Sequence, residues 1–441
     1  MTQVTIAPDK VKETLAKHVL ADGYDLILDM EKSKGVYLHD SKRNRDLLDL
    51  FTCFASMPIG YNPEGFHNNE KFKKDLMEAA MTNPSNSDIY TTQYAEFVET
   101  FARVGIPSYL PHAFFVAGGG LAVENALKVA MDWKVQKNFA KGHRDEKGHK
   151  VLHFDHAFHG RTGYTLSLTN TSPDKTKWFT KFDWPRVSTP MIKFPYTDDK
   201  YDELKERENL SISQIKEAFR ENKDDICAIL IEPVQGEGGD NHFRKEFMQE
   251  LRILADENEA LLIYDEVQTG VGLSGKFWLH EHYGDKARPD IISFGKKMQV
   301  CGILASNRVD EVKDNCFRKS SRINSTWGGN LVDMVRSKRI LEIIEEQNLV
   351  ENAAEVGNYL LNKVSEISES NSKVTNVRGR GLLVAFDLPD AAARNKFVED
   401  GLEKHNIMFL GCGEKSIRFR PALNITKKEI DIAIKGVMDL I

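Results

Sequence analysis

Short apolar runs rich in Val, Ile, Leu and Phe recur through the middle of the chain, at His112–Ala117, Val151–Asp155, Ile226–Glu232, Ala260–Asp265 and Asp290–Gly295. Each is too short for a helix and most lack polar alternation, which predicts strands buried on both faces. Between several of them the apolar positions follow a helical period. Leu121–Asn138 places Val123, Ala126, Leu127, Ala130 and Trp133 on one face, and Lys245–Asn258 does the same with Phe247, Leu251 and Leu254. Strands alternating with amphipathic helices predict an α/β fold whose mainly parallel sheet is covered on both sides, with ligands at the carboxyl ends of the strands. The tail has another character. Helical patterns around Asn330–Glu346 and Glu351–Ser368 precede strand-like Gly381–Asp387 and Ser416–Phe419, and a last helix starts at Lys427. The expected division is a large domain over 62–335 and a smaller α+β domain built from 1–61 and 336–441.

Composition narrows the partners. Among 441 residues, 60 Lys and Arg oppose 66 Asp and Glu, a net charge of −6, and 41% of the chain is hydrophobic. Such a chain buries a core and has no bulk charge for a polyanion, so no nucleic-acid partner is expected. The start, MTQVTIAPDKVKET, turns charged before any signal-like apolar run, and no stretch approaches the ~20 apolar residues of a membrane span. A cytoplasmic protein without a membrane partner is the expectation. Five scattered cysteines without a CxxC pair, and 13 histidines without an HExxH pattern, predict free thiols and no metal site.

Chemistry gathers where the predicted strands end. Gly118-Gly119-Gly120 leads from a strand into the long helix, a candidate phosphate cradle. The dinucleotide fingerprint fails there, because its third glycine position is Val123 and Asp155 arrives too late. Phe158, in AFHGR, offers an aromatic face and Arg161 a carboxylate clamp. EPVQGEGG and DEVQTG put carboxylates at strand ends, and Gly295-Lys296-Lys297 puts an amine there. Each alone reads as a turn, a cap or a solvated charge. Together, a phosphate cradle, an aromatic face, a strand-end aspartate and a strand-end lysine are the parts that pyridoxal 5′-phosphate requires.

AFHGR, EPVQGEGG, DEVQTG, GKK and NSTWGGN, in that order, resemble the class III (omega) aminotransferases of pyridoxal-phosphate fold type I, over nearly the whole chain. The resemblance implies a pyridoxal-phosphate enzyme and a homodimer with shared active sites. It assigns Gly119 and Gly120 to the phosphate, Phe158 to the ring face, Asp265 to the ring nitrogen and Gln268 to the region of the phenolic oxygen and substrate. Thr326, with Asn324, matches the segment that reaches the neighbouring subunit's phosphate. For the lysine, the preceding small residue selects Lys296, whereas counting back from Cys301-Gly302 selects Lys297; Lys296 is preferred.

FHGRTGYTLSLTNT, KFDWPRV, FGKKMQVCG and RINSTWGGNLVDMVR resemble most the family members that move the ε-amino group of L-lysine to 2-oxoglutarate. That implies release of 2-aminoadipate 6-semialdehyde and L-glutamate by a ping-pong mechanism. Arg161 is then expected on the far carboxylate of either substrate, and Glu237 with Arg418 as a gate that closes for lysine and opens for the oxoacid. Ala117 departs from the family, whose members more often carry a polar residue there, which bears on substrate choice. The alternatives are an omega-aminotransferase with 4-aminobutyrate or ornithine as donor, a nicotinamide-dependent dehydrogenase, and a non-catalytic relative. The failed fingerprint disfavours the second, and retention of Asp265 and Lys296 the third.

Overall fold

The computed structural model describes residues 5–441. Seven strands form the central sheet: β1 (His112–Val116), β2 (Lys150–Phe154), β3 (Arg186–Val187), β4 (Ile226–Ile231), β5 (Leu261–Asp265), β6 (Ile291–Phe294) and β7 (Cys301–Ala305). Their order is β1-β7-β6-β5-β4-β2-β3. β6, β5, β4, β2 and β3 pair in parallel, while β7 runs antiparallel to both β6 and β1. The mainly parallel sheet expected from the sequence is therefore present, with one reversed strand that the pattern did not reveal.

β4 and β5 are buried at every position, as continuous apolar runs demand. Their alternate side chains serve opposite faces. Leu230 and Ile263 join the cluster of Val123, Ala126, Leu127, Ala130 and Trp133 on α1 (Gly119–Ala140). Ile229, Ile231, Leu262 and Tyr264 join the cluster of Phe247, Leu251 and Leu254 on α2 (Lys245–Glu257). Each fully buried Val, Leu, Ile or Phe among them contributes about 1.5–3 kcal/mol, so the two helices clamp the sheet and fix where its strands end. Because β1 and β6 share an antiparallel neighbour, the carboxyl ends of β1, β2, β4, β5 and β6 all open on one edge.

Two smaller sheets adjoin. Thr375–Arg380, Leu383–Asp387, Ser416–Phe419 and Leu410–Cys412 form a four-stranded antiparallel sheet in that order. Tyr37–Asp40, Arg45–Asp49 and Ile407–Met408 form another, in which Ile407 pairs with Leu48 and so joins the two ends of the chain. The sequence pattern missed the polar strands Thr375–Arg380 and Arg45–Asp49, and also the long helix Asp198–Glu221. Among the described residues no helix is long and apolar enough to cross a membrane.

Candidate active site

Gly295 and Lys296 follow β6. A side chain at Gly295 would put Cβ 2.7 Å from Cys301 Sγ, so Cys301 on β7 would have to shift to admit one at this turn. Lys296 has φ +47°, a left-handed conformation uncommon outside glycine. The two adjacent lysines have different fates. Lys297 is buried and donates from Nζ to the Gln268 carbonyl at 2.6 Å. Lys296 Nζ has no hydrogen-bond or ion-pair partner among the described residues, and lies 5.9 Å from the Phe54 ring centre. Burial, helped by the nearby Arg418 and Arg420 charges, lowers its pKa to about 8. Burial lowers Lys297 as well, so what separates the two amines is that Lys297 is engaged by the Gln268 carbonyl and Lys296 is not. Phe54 sits in a left-handed turn over Thr52–Ala55 that no sequence signal marked.

Asp265 ends β5 and is held from three sides. Oδ2 lies 2.8 Å from His159 Nδ1, and Oδ1 accepts from Ser293 Oγ at 3.0 Å and from the Val267 amide at 3.1 Å. A carboxylate only accepts, so Nδ1 carries the proton. Both side chains are buried. His159 belongs to the AFHGR motif, yet its spacing gave no hint of this bond. Next to it, the Phe158 amide donates to Glu232 Oε1 at 3.1 Å, and the Gly236 amide to Glu232 Oε2 at 3.0 Å. Burial raises the Glu232 pKa to about 7.

The glycine turn follows β1. Gly118, at φ +113°, precedes α1 with no side-chain cap, so the first amides of a 22-residue helix are left open. A Cβ on Gly119 would stand 2.9 Å from Val267 Cγ1, and one on Gly120 3.4 Å from Thr162 Cγ2. The AFHGR loop closes against this turn: a Cβ on Gly160 would lie 2.9 Å from the Gly120 Cα.

A chain of charges completes the edge. Arg418, fully buried on the strand Ser416–Phe419, donates from Nη2 to Glu237 Oε2 at 2.7 Å and from Nη1 to Gln268 Oε1 at 2.9 Å. Arg420 shares Gln268 Oε1 at 3.3 Å and pairs with the buried Asp240. Burial by itself would raise the Glu237 pKa, but Arg418 and Lys175 outweigh it and hold Glu237 below the usual carboxylate value. The structure thus joins Glu237, Arg418 and Gln268, and adds Arg420, Asp240 and Lys175, which sequence reasoning did not find. Arg161 stands exposed in its loop, and Asn324 and Thr326 are exposed on theirs.

The chain is similar to known proteins over nearly its whole length. The aminotransferase class-III family matches residues 19–441. An L-lysine-epsilon aminotransferase of Mycobacterium tuberculosis is 49% identical over 431 residues, covering 98% of this chain and 95% of the relative. One of Amycolatopsis lactamdurans is 46% identical over 438 residues, covering 99% and 96%. The solved lysine aminotransferase from M. tuberculosis in the internal aldimine form superposes with a TM-score of 0.96 at 47% identity, covering 99% of each chain. The omega transaminase from Pseudomonas jessenii in complex with PMP, at 19% identity and a TM-score of 0.83 over 98% of each chain, shares the fold. The chain belongs to the class-III aminotransferases and is an enzyme of that family.

Proposed function

We propose that this enzyme transfers the ε-amino group of L-lysine to 2-oxoglutarate with pyridoxal 5′-phosphate as cofactor, giving 2-aminoadipate 6-semialdehyde and L-glutamate in a ping-pong cycle. The observation that carries the reading is the closed pair of Glu237 with Arg418, 2.7 Å apart at the edge that holds Lys296. Lysine brings no carboxylate near its reacting ε-carbon, so the pair can stay closed. 2-Oxoglutarate brings one, and Arg418 released from Glu237 can bind it. The names of the relatives at 46–49% identity support lysine as the donor.

The residues present fit the cofactor: an unpartnered lysine, a fixed carboxylate, an aromatic face and an uncapped helix start that side chains would fill. When bound, the cofactor supplies an aldehyde that takes up the amino group and a ring that draws electrons from the reacting carbon. Gly119 and Gly120 hold the phosphate through backbone amides, and Phe158 covers the ring. Asp265, oriented by His159, keeps the ring nitrogen protonated, and Gln268 stands by the phenolic oxygen. Lys296 would hold the cofactor through its amine and would move a proton at the substrate's Cε. Arg161 takes the α-carboxylate of lysine or the γ-carboxylate of the oxoacid.

The functional unit on this reading is a homodimer, in which Asn324 and Thr326 reach the partner's phosphate. The exposed Trp178 (91%), Phe179 and Trp327 are large apolar side chains that a partner subunit would cover. The pairing of Leu48 with Ile407 supports a small domain built from both chain ends beside the large one over 62–335. Glutamate formation from 2-oxoglutarate with lysine, ornithine and 4-aminobutyrate in parallel tests the donor. Lysine is expected to be the best of the three, and preference for another would replace it.

A further inference from the structure

Glu237 has two cationic partners, and only one belongs to the gate described above. Oε2 accepts from Arg418, and Oε1 accepts from Lys175 Nζ, each at 2.7 Å. The two cations stand in different surroundings. Arg418 is fully buried, whereas the Lys175 side chain is 25% exposed, in a cleft of about 670 Å³ lined also by Tyr24, Thr171 and Glu237. Lys175 has anchors besides Glu237: Nζ bonds Thr171 Oγ1 at 3.1 Å and lies 5.2 Å from the Phe158 ring centre.

Opening the gate has an electrostatic cost. If Arg418 turned to an incoming carboxylate and Glu237 had no other partner, two anions would face each other beside one guanidinium. A second ammonium, already bonded to the far oxygen of Glu237, neutralises the stranded carboxylate and favours its rotation toward the cleft. We propose that Lys175 is a positioning residue that holds Glu237 while Arg418 engages the α-carboxylate of the oxoacid, and so sets the balance between the two substrates. The inference rests on the reading of Glu237 and Arg418 as a gate, and it adds the group that makes opening affordable.

The test compares Lys175→Met, Lys175→Arg and Glu237→Ala holoenzymes. Lys175→Met is expected to raise KM for 2-oxoglutarate about tenfold relative to its effect on KM for lysine, at similar kcat. It should weaken binding of glutarate, an unreactive dicarboxylate probe, by a like factor in calorimetric titration. Lys175→Arg should restore both. Equal changes for the two substrates, or glutarate affinity within about twofold of the wild type, would overturn the role of Lys175 even where Glu237→Ala alters donor selectivity. Glu237→Ala with unaltered selectivity would remove the gate itself, and the proposal with it.

Discussion

Replacing Glu237 by alanine isolates the gate. In the native chain the Arg418 guanidinium is 0% exposed and has two side-chain partners, Glu237 Oε2 and Gln268 Oε1. The substitution leaves a buried charge with only a neutral acceptor. Breaking a buried pair costs about 3–5 kcal/mol, and an exposed one ~0–1 kcal/mol. With the Glu237 side chain 28% exposed, an intermediate value applies, about 2 kcal/mol. Part of it appears as a lower melting temperature. The same free energy no longer opposes recruitment of Arg418 by a substrate α-carboxylate, so selectivity shifts by roughly thirtyfold toward α-amino donors. The assay is single-turnover reaction of the cofactor-loaded enzyme with lysine or with L-glutamate, followed by cofactor absorbance. The ratio of the two apparent second-order constants should move toward glutamate by that factor. An unchanged ratio, with the variant folded and loaded, refutes the reasoning.

Lys296→Ala should abolish activity and the cofactor's lysine-linked visible absorption, while Lys297→Ala keeps both and loses about 1–3 kcal/mol of stability as the Gln268 carbonyl gives up its bond; the reverse spectra would exchange the two lysines. Burial lowers Lys296 from 10.5 to about 8, so between those values the unfolded chain binds more protons than the folded one. Stability of the cofactor-free protein should therefore rise with pH through that window. Its rate of pyridoxal-phosphate uptake should climb with a midpoint at about 8, and a flat profile contradicts the assignment. His159→Leu, which removes the bond to Asp265 Oδ2, should lower kcat about 10- to 100-fold and shift the cofactor spectrum; an unaltered spectrum would show that His159 does not orient Asp265.

Much of the fold was legible because the central strands are buried on both faces and carry uninterrupted apolar runs. β7 escaped notice because Cys301-Gly302 weakens its start, although its reversed direction is what brings Cys301 against Gly295. Thr375–Arg380 is polar and mostly half-buried, and Arg45–Asp49 places two adjacent leucines between charged residues, so neither has a period to read. At the site, the Glu237–Arg418 pair, 181 positions apart, was anticipated through the family resemblance, whereas other long-range partners were not. His159 lies 106 positions from Asp265, Lys175 lies 62 from Glu237, and Arg420 lies 180 from Asp240. Nothing local distinguishes these side chains from solvated ones. The difference between Lys296 and Lys297 was likewise invisible in the sequence, because it comes from a bond of Lys297 to a backbone carbonyl 29 positions away.

A labelled substrate shows directly which nitrogen moves and where it goes. The enzyme is given 2-oxoglutarate and L-lysine labelled with heavy nitrogen at Nε alone, and the products are identified by mass spectrometry. Transfer of the ε-amino group gives labelled L-glutamate together with unlabelled 2-aminoadipate 6-semialdehyde. Unlabelled glutamate, or a product that retains the heavy nitrogen on the lysine skeleton, would contradict it.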